Sequence, residues 1–207
     1  MIIACGTKFD RRVININLPP NRQSKIGVFV SGGIDSALLY YLLMWLNSIH
    51  NNTYQITPFT MLRKEGSKHY ALPVINYVNS IFNKPDQQLI TVGDTTLPED
   101  QQVRSGIQDV FSQKLADVVY VGVIQTLDIH MIGWQPIVSK ETSIFKTPFS
   151  NINKSHIIDL VYILKQEALI NLTHSCIHDT GKCYNCNGCN ERSWAFEQLG
   201  RIDTGTI

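Results

Sequence analysis

The stretch that most constrains this chain is an apolar run, Ile26 to Val30, followed by Ser31-Gly32-Gly33 and then by Asp35-Ser36. The apolar run predicts a buried strand, and the apolar residues after Ser36 predict a helix from about Asp35 to Ser48. In such a strand–turn–helix, the N–H groups of the turn and the positive end of the helix dipole converge on one point. Glycine lets a phosphate approach the backbone closely there. The stretch therefore predicts an anion-binding turn.

The residues of this turn have separate predicted roles. The hydroxyls of Ser31 and Ser36 add hydrogen-bond donors, and Asp35 can either cap the helix or help to hold a metal-bound phosphate. The spacing differs from that of a P-loop and from that of a dinucleotide-binding fingerprint. Ser-Gly-Gly-x-Asp-Ser after an apolar strand resembles the pyrophosphate-binding loop of the PP-loop ATPases, which cleave ATP between the α and β phosphates. A purely structural turn is the alternative. The resemblance implies that ATP is bound by Val30, Ser31, Gly32, Gly33, Asp35 and Ser36.

The composition limits the partners of the chain. Its formal net charge is +1 and no run of Lys or Arg exceeds two residues, which argues against a nucleic-acid partner. The longest apolar run, Ala37 to Leu46, is about half of a membrane span. Met1 to Gly6 lacks the basic region and cleavage site of a signal peptide. We therefore expect a soluble, cytoplasmic protein without a membrane partner.

Beyond the turn, apolar strands alternate with amphipathic helices. This alternation predicts an α/β fold with a doubly wound parallel sheet of the PP-loop ATPase type, in which ligands bind beyond the carboxyl ends of the strands. We expect this domain over residues 1–170, with 1–24 as an extension that is irregular apart from an edge strand, Arg12–Leu18. Pro58 predicts an edge or irregular position for its strand. The other predicted elements are strands at Tyr54–Leu62, Gln88–Val92 and Val118–Ile124 and helices at Tyr70–Phe82, Gln101–Ala116 and Lys154–Leu169.

A segment without periodicity, Leu127 to Lys146, follows the fourth of these core strands. A loop of this length in a compact domain is typically a lid, a binding loop or a disordered segment. Asp128 lies where the strand ends, at the edge of the sheet that binds ligands. A substrate contact and a plain loop role are both open for Asp128.

Four cysteines crowd into the C-terminal segment, which we delimit as residues 171–207. In a cytosolic chain this crowding indicates a metal site rather than disulfides. Four thiolates bind Zn²⁺ tetrahedrally and leave no open position, so the sequence predicts a structural zinc. An iron–sulfur cluster is the alternative, and His174 and His178 are competing ligands. The predicted ligands are Cys176, Cys183, Cys186 and Cys189.

The two ends of the chain together resemble one family. Thr173-His-Ser-Cys176 and the run from Cys183 to Arg192 resemble the zinc segment of the 7-cyano-7-deazaguanine synthases, a family of PP-loop ATPases. Pro148-Phe149 with Lys154 ahead of a helix resembles the stretch that precedes this segment there. Members of the family convert 7-carboxy-7-deazaguanine, ATP and ammonia into a nitrile, a precursor of queuosine. The resemblance implies ATP, Mg²⁺ and Zn²⁺ as cofactors, the deazaguanine carboxylate and ammonia as partners, and no direct nucleic-acid binding; a homodimer stays open.

The implied reaction activates a carboxylate as its adenylate, lets ammonia displace AMP, and dehydrates the amide in a second activation. Positioning and charge stabilisation, rather than an acid–base pair, would carry this chemistry. The predicted catalytic groups are Asp35, Ser36 and Lys154. A solvated side chain is the alternative for Lys154, but a lysine at a helix start is unfavourable for the helix dipole, which favours a functional reason. The predicted substrate contacts are Arg104, Asp128 and Arg192.

The sequence departs from the family on the substrate side. Family members carry Tyr-Pro-Asp-Cys-Arg after the fourth core strand, and residues 128–136 contain no such string. The loop and the cysteines keep the family pattern. Two alternatives to the family reaction therefore remain: a PP-loop amide-forming ligase with a different acceptor, and a non-catalytic ATP-binding module.

Overall fold

The computed structural model of the chain describes residues 1–61, 67–85, 89–94, 96–97, 99–125, 141–176 and 183–205. Its strands are β1 (Ile2–Gly6), β2 (Arg11–Asn15), β3 (Lys25–Phe29), β4 (Gln55–Met61), β5 (Ile90–Val92), β6 (Val118–Tyr120) and β7 (Phe145–Lys146). Its helices are α1 (Ile34–Ile49), α2 (Ser67–Ile81), α3 (Glu99–Ser112), α4 (Lys154–Ile163), α5 (Ala168–Leu172) and α6 (Asn187–Gln198). Among the described residues, no helix is long and apolar enough to cross a membrane.

The centre of the fold is a five-stranded parallel sheet in the order β5-β4-β3-β6-β7. This architecture confirms the predicted α/β class. The chain runs from the central strand β3 to β4 and β5 on one side, and it later adds β6 and β7 on the other side. The carboxyl end of β3 is therefore the point where the strand order reverses, the usual ligand site of such sheets. The Ser31–Gly33 turn lies there because it follows β3 closely.

Both faces of β3 are buried. Ile26 and Val28 belong to a large apolar cluster that also holds the buried faces of α1, α2 and α4. Phe29 belongs to a smaller cluster on the other face, together with Val110 of α3. A strand covered on both faces is apolar throughout rather than alternating, and this pattern made β3 recognisable in the sequence.

The N-terminal extension is more regular than predicted. β1 and β2 pair as an antiparallel hairpin, with Ile2 opposite Asn15. The sequence did not predict β1, and the predicted Arg12–Leu18 strand ends earlier than expected. The hairpin is tied to α4 because the Gly6 N–H donates to the Asp159 carboxylate at 2.8 Å. Ile14 is buried in the main core, so the extension is part of the domain packing.

Pro58 lies in an interior strand, so the edge position predicted for it is wrong. The carbonyl of Phe59 accepts from the N–H of Val30 at 2.8 Å, so this residue faces β3. Neighbouring residues of a strand direct their backbone groups to opposite sides, so the nitrogen of Pro58 faces the β5 side. The β5 ladder pairs with β4 only from Phe59 onward. The missing N–H therefore costs the sheet no hydrogen bond at this position.

The predicted helix Lys154–Leu169 is two helices, α4 and α5. Lys165 has a φ of 56°, the left-handed conformation that ends many helices. The N–H of Lys165 donates to the carbonyl of Tyr162, and the N–H of Gln166 donates to the carbonyl of Val161. These two hydrogen bonds satisfy carbonyls in the last turn of α4. Glycine normally marks such an end, and a lysine in its place left no signal in the sequence.

The fourth core strand is shorter than predicted, and the segment after it is not all loop. β6 ends at Tyr120 instead of Ile124. β7 lies inside the segment predicted as a loop and pairs with β6 through Val119 and Phe145. A two-residue strand has no detectable periodicity, which explains the error. Residues 126–140, including Asp128, lie outside the described residues.

We expect Gly6→Ala to destabilise the protein by about 3 kcal/mol, since strain and overpacking each cost about 1–3 kcal/mol. Gly6 has a φ of 113°, and a Cβ there would overlap the Asp10 carbonyl and the His156 ring. Urea denaturation of both proteins measures the difference. Gly200→Ala is the matched control, because Gly200 has a φ of 61° but open space around it. An equal loss in both variants would contradict the docking of the hairpin on α4.

Candidate functional site

The glycine turn packs against the start of α2. Gly32 has a φ of 86°, and a Cβ added to it would lie 2.5 Å from the Cβ of Tyr70. No other residue type fits this position without displacing α2. On the opposite side, a Cβ on Gly122 would lie 3.1 Å from the N atom of Ser36. The turn and the first turn of α1 are thus held between α2 and the segment after β6.

Hydrogen bonds between two serines shape the turn. The Ser31 N–H donates to Ser36 Oγ at 3.0 Å, and Ser36 Oγ donates to the Gly33 carbonyl at 3.0 Å. The two hydroxyl oxygens lie 3.1 Å apart. The N-cap of α1 is Gly33, and no side chain caps it. The prediction that Asp35 caps the helix is therefore wrong, and its carboxylate pairs with Lys154 instead.

Asp35 forms a buried ion pair with Lys154. The ammonium of Lys154 lies 2.5 Å from Asp35 Oδ2 and 3.5 Å from Glu191 Oε2. The Lys154 side chain is 6% exposed, so water does little to solvate this charge. Among the described residues, Asp35 Oδ1 is a buried oxygen without a hydrogen-bond partner. The structure thus brings together Asp35, Ser36 and Lys154, which the sequence predicted as one site.

Local capping explains why α4 begins at Lys154. The side chain of Asn153 accepts from the N–H groups of Ser155 and His156, and the His156 ring accepts from the Asn153 N–H. This capping box fixes the first turn of α4. The Lys154 side chain consequently leaves the helix start in the direction of α1.

The charge of Lys154 is maintained by its two carboxylate neighbours. Burial alone would lower the pKa of the ammonium, because it removes water from the charge. Asp35 and Glu191 outweigh this effect and hold the pKa of Lys154 above its ordinary value. Lys154 is therefore a permanent cation beside the turn at neutral pH.

A second contact joins the turn to the chain that leads to the cysteines. The His174 N–H donates to the Gly32 carbonyl at 3.0 Å. The His174 ring stacks on Tyr70, with ring centroids 4.0 Å apart and planes 5° apart. His174 thus packs beside the turn, whereas it was considered as a metal ligand from the sequence. The other candidate, His178, lies outside the described residues.

The predicted metal ligands lie together: the sulfur atoms of Cys176, Cys183, Cys186 and Cys189 are all within 4.8 Å of one another. Two of the sulfur–sulfur distances are 3.9 Å and 4.0 Å. Tetrahedral zinc with Zn–S bonds of about 2.3 Å requires a separation of about 3.8 Å. The set therefore fits a single zinc ion. An iron–sulfur cluster fits less well, because its thiolates are distributed over two or four irons and some of the cysteine sulfurs therefore lie farther apart than around one ion.

Backbone geometry prepares the cysteine site. The Cys186 N–H donates to the sulfur of Cys183 at 3.3 Å, and the Cys189 N–H donates to that of Cys186 at 3.4 Å. Such bonds favour the thiolate, the form that binds metal. A Cβ on Gly188 would overlap the Ser175 carbonyl, so this position requires glycine. Cys186 also caps α6, so the site and the first turn of that helix form as one unit.

Among the described residues, the structure does not bring the predicted substrate contacts together at the site, as it does Asp35 and Lys154. Arg192 is 2% exposed and binds both oxygens of Asp203 at 2.8 Å. Its other donors bind the carbonyls of Thr173 and Ile170 and the Thr173 hydroxyl. All five N–H donors of Arg192 are thus used to join Asp203, near the C-terminus, to the end of α5. None of them is left for a substrate. Arg104 lies exposed on α3 and stays a prediction, as does Asp128.

Sequence reasoning missed Glu191. Glu191 precedes Ala195 by four residues and shares the helix face of this fully buried residue, but the burial of an alanine is seen only in the structure. A carboxylate on an inward helix face needs a cation within the protein. The identity of that cation depends on how α4 and α6 pack, which the sequence does not state.

The comparison with protein families gives one match. Residues 105–200 match the family model of QueC, the queuosine biosynthesis protein QueC. The match covers somewhat less than half of the chain and shows that this part is similar to QueC. It includes Lys154 and the cysteines and excludes the glycine turn. A comparison with curated proteins gave no significant match.

We expect Cys186→Ser to release the metal and to unfold the C-terminal segment, since structural zinc contributes on the order of 10 kcal/mol to folding. Elemental analysis and thermal denaturation of the purified protein measure the two effects. Cys5→Ser is the control for zinc content, because it removes a thiol that lies outside the cluster. Unchanged zinc content in Cys186→Ser would contradict the four-ligand site.

Proposed function

Starting from the QueC-like assignment of residues 105–200, we propose that the chain is an ATP-dependent carbon–nitrogen ligase that makes 7-cyano-7-deazaguanine from 7-carboxy-7-deazaguanine and ammonia. One observation carries the proposal. Lys154, within the family match, is ion-paired at 2.5 Å to Asp35 of the glycine turn, outside the match. The turn that resembles an ATP site and the stretch that matches the family are therefore one site.

The reaction needs two activations of the same carbon. Attack of the substrate carboxylate on the α-phosphorus of ATP gives an adenylate and releases pyrophosphate. Ammonia then displaces AMP to form an amide. Attack of the amide oxygen on the α-phosphorus of a second ATP releases pyrophosphate and makes this oxygen part of a leaving group, and loss of AMP with two protons gives the nitrile. In each step negative charge develops on the phosphate oxygens of the leaving group, which is pyrophosphate or AMP. The protein therefore contributes mainly positioning and charge stabilisation.

The residues of the turn suit the phosphates. Helix α1 has free N–H groups in its first turn, and its dipole attracts an anion to Gly32 and Gly33. The hydroxyls of Ser31 and Ser36 lie at the same point. Lys154 supplies a fixed positive charge for the developing pyrophosphate. Asp35 Oδ1, the buried oxygen without a partner, suits Mg²⁺ because this ion prefers carboxylate oxygens.

Zinc would be held by the four cysteines and would supply folding energy rather than chemistry, because four thiolates leave no open position. The cysteine segment affects the ATP site through contacts of its own residues with the glycine turn and with Lys154. Its helix α6 carries Glu191, which contacts Lys154, and the chain before Cys176 carries His174, which contacts Gly32. On the substrate side, Arg104 and Asp128 remain the proposed contacts.

The direct test is incubation with ATP, ammonia and 7-carboxy-7-deazaguanine, followed by mass spectrometry. We expect AMP and the nitrile, with two AMP for each nitrile. AMP without the nitrile would favour a PP-loop ligase with another acceptor, which the missing Tyr-Pro-Asp-Cys-Arg string also allows. No AMP with any of a panel of carboxylates would contradict catalysis.

Asp35→Ala should lower the rate of AMP formation by about 100-fold or more, the usual effect of removing a group that stabilises transition-state charge. Its circular dichroism should stay unchanged, because Glu191 still pairs with Lys154 in the variant. The matched control is Asp117→Ala. Asp117 precedes β6 at the opposite end of the sheet, where it accepts from the Lys25 N–H. Full activity of Asp35→Ala would rule out the assigned role of the turn.

A further inference from the structure

Glu191 connects the cysteine segment to the ATP-binding turn. It lies on α6, two residues after the proposed ligand Cys189. Its carboxylate is 13% exposed and lies 3.5 Å from the ammonium of Lys154. The same ammonium contacts Asp35 of the turn at 2.5 Å. Three helices thus meet at one cation: α1, α4 and α6.

The burial of this cation makes the second carboxylate significant. Removing water from an ammonium disfavours its charged form, and a single partner compensates only in part. Glu191 approaches Lys154 from α6, while Asp35 approaches from α1. Two anions on different helices restrict where the ammonium can lie, whereas one anion would let it swing around the pair.

We propose that Glu191 is a positioning residue for the reaction: it holds the Lys154 ammonium beside Asp35, at the mouth of the glycine turn. This inference rests on the proposed function. Glu191 acts through Lys154, so it is not a catalytic residue. It also gives the cysteine segment an influence on the ATP site, because Glu191 follows Cys189 by two residues on α6.

The charges around Lys154 set its response to pH. Asp35 faces it from α1, and Glu191 and Arg192 face it from α6. The two carboxylates raise the pKa of Lys154, whereas Arg192, itself paired with Asp203, lowers it. Loss of the Glu191 charge should therefore lower the pKa of Lys154. The ammonium would then lose its proton at a lower pH than in the wild type.

Glu191→Gln tests the proposal, with Glu197→Gln as the matched control. Glu197 lies on the same helix but is exposed, so it changes the net charge equally without touching Lys154. We expect Glu191→Gln to lower kcat by about ten-fold, within the usual coupling of residues in one network. KM for ATP should change less than kcat. The alkaline limb of the rate profile should move to lower pH, while zinc content stays at the wild-type level. The control should match the wild type throughout.

A second readout does not depend on activity. Side-chain ¹⁵N NMR of lysine follows the titration of the Lys154 amine, assigned with Lys154→Arg. We expect the titration to move to lower pH in Glu191→Gln and to return toward the wild type in Glu191→Asp. If the wild type makes no AMP, the proposed function fails, and this titration still decides the role of Glu191.

Two results would overturn the inference. The first is a Glu191→Gln protein with wild-type kcat, alkaline limb and Lys154 titration. The second is loss of zinc or of folding in both Glu191→Gln and Glu191→Asp, because Glu191 would then serve the cysteine segment alone.

Discussion

A single buried ammonium organises the functional end of this protein. Lys154 is nearly sealed from water, and its charge is tolerated because carboxylates on two other helices surround it. Unpaired, such a charge would cost several kcal/mol. The arrangement of α1, α4 and α6 is therefore coupled, since moving any one of them exposes or isolates a charge.

Two structures hold the partners of Lys154 in place from a distance. The N-terminal hairpin packs on α4 through Gly6 and Asp159, which supports the helix that begins with Lys154. The cysteine cluster fixes the first turn of α6 and with it Glu191. The chain before Cys176 also reaches the glycine turn, where the His174 N–H donates to the Gly32 carbonyl. The hairpin and the cysteine cluster thus both restrict the position of the Lys154 ammonium at the carboxyl end of the parallel sheet. Stabilisation of a developing charge requires such a fixed geometry.

The predictions that succeeded came from short-range patterns. The apolar run before Ser31 identified β3, and the four cysteines from Cys176 to Cys189 identified a four-sulfur cluster, because both patterns are set by residues close in the sequence. The errors came from features without a local pattern. Lys165 ends α4 in a conformation that usually marks glycine, and β7 is too short to show periodicity. Pro58 fits an interior strand only because the neighbouring strand starts one residue later.

The sequence by itself determined the chemistry available to this protein: a glycine turn after a buried strand, a lysine at a helix start and four clustered thiols. Only the tertiary structure decided that these groups lie close enough to form one site. Asp35 and Lys154 are separated by more than a hundred residues, and their contact depends on how α4 packs against α1. The same packing gave Arg192 a structural role and brought Glu191 to the ammonium, because burial forces every charge to find a partner within the fold.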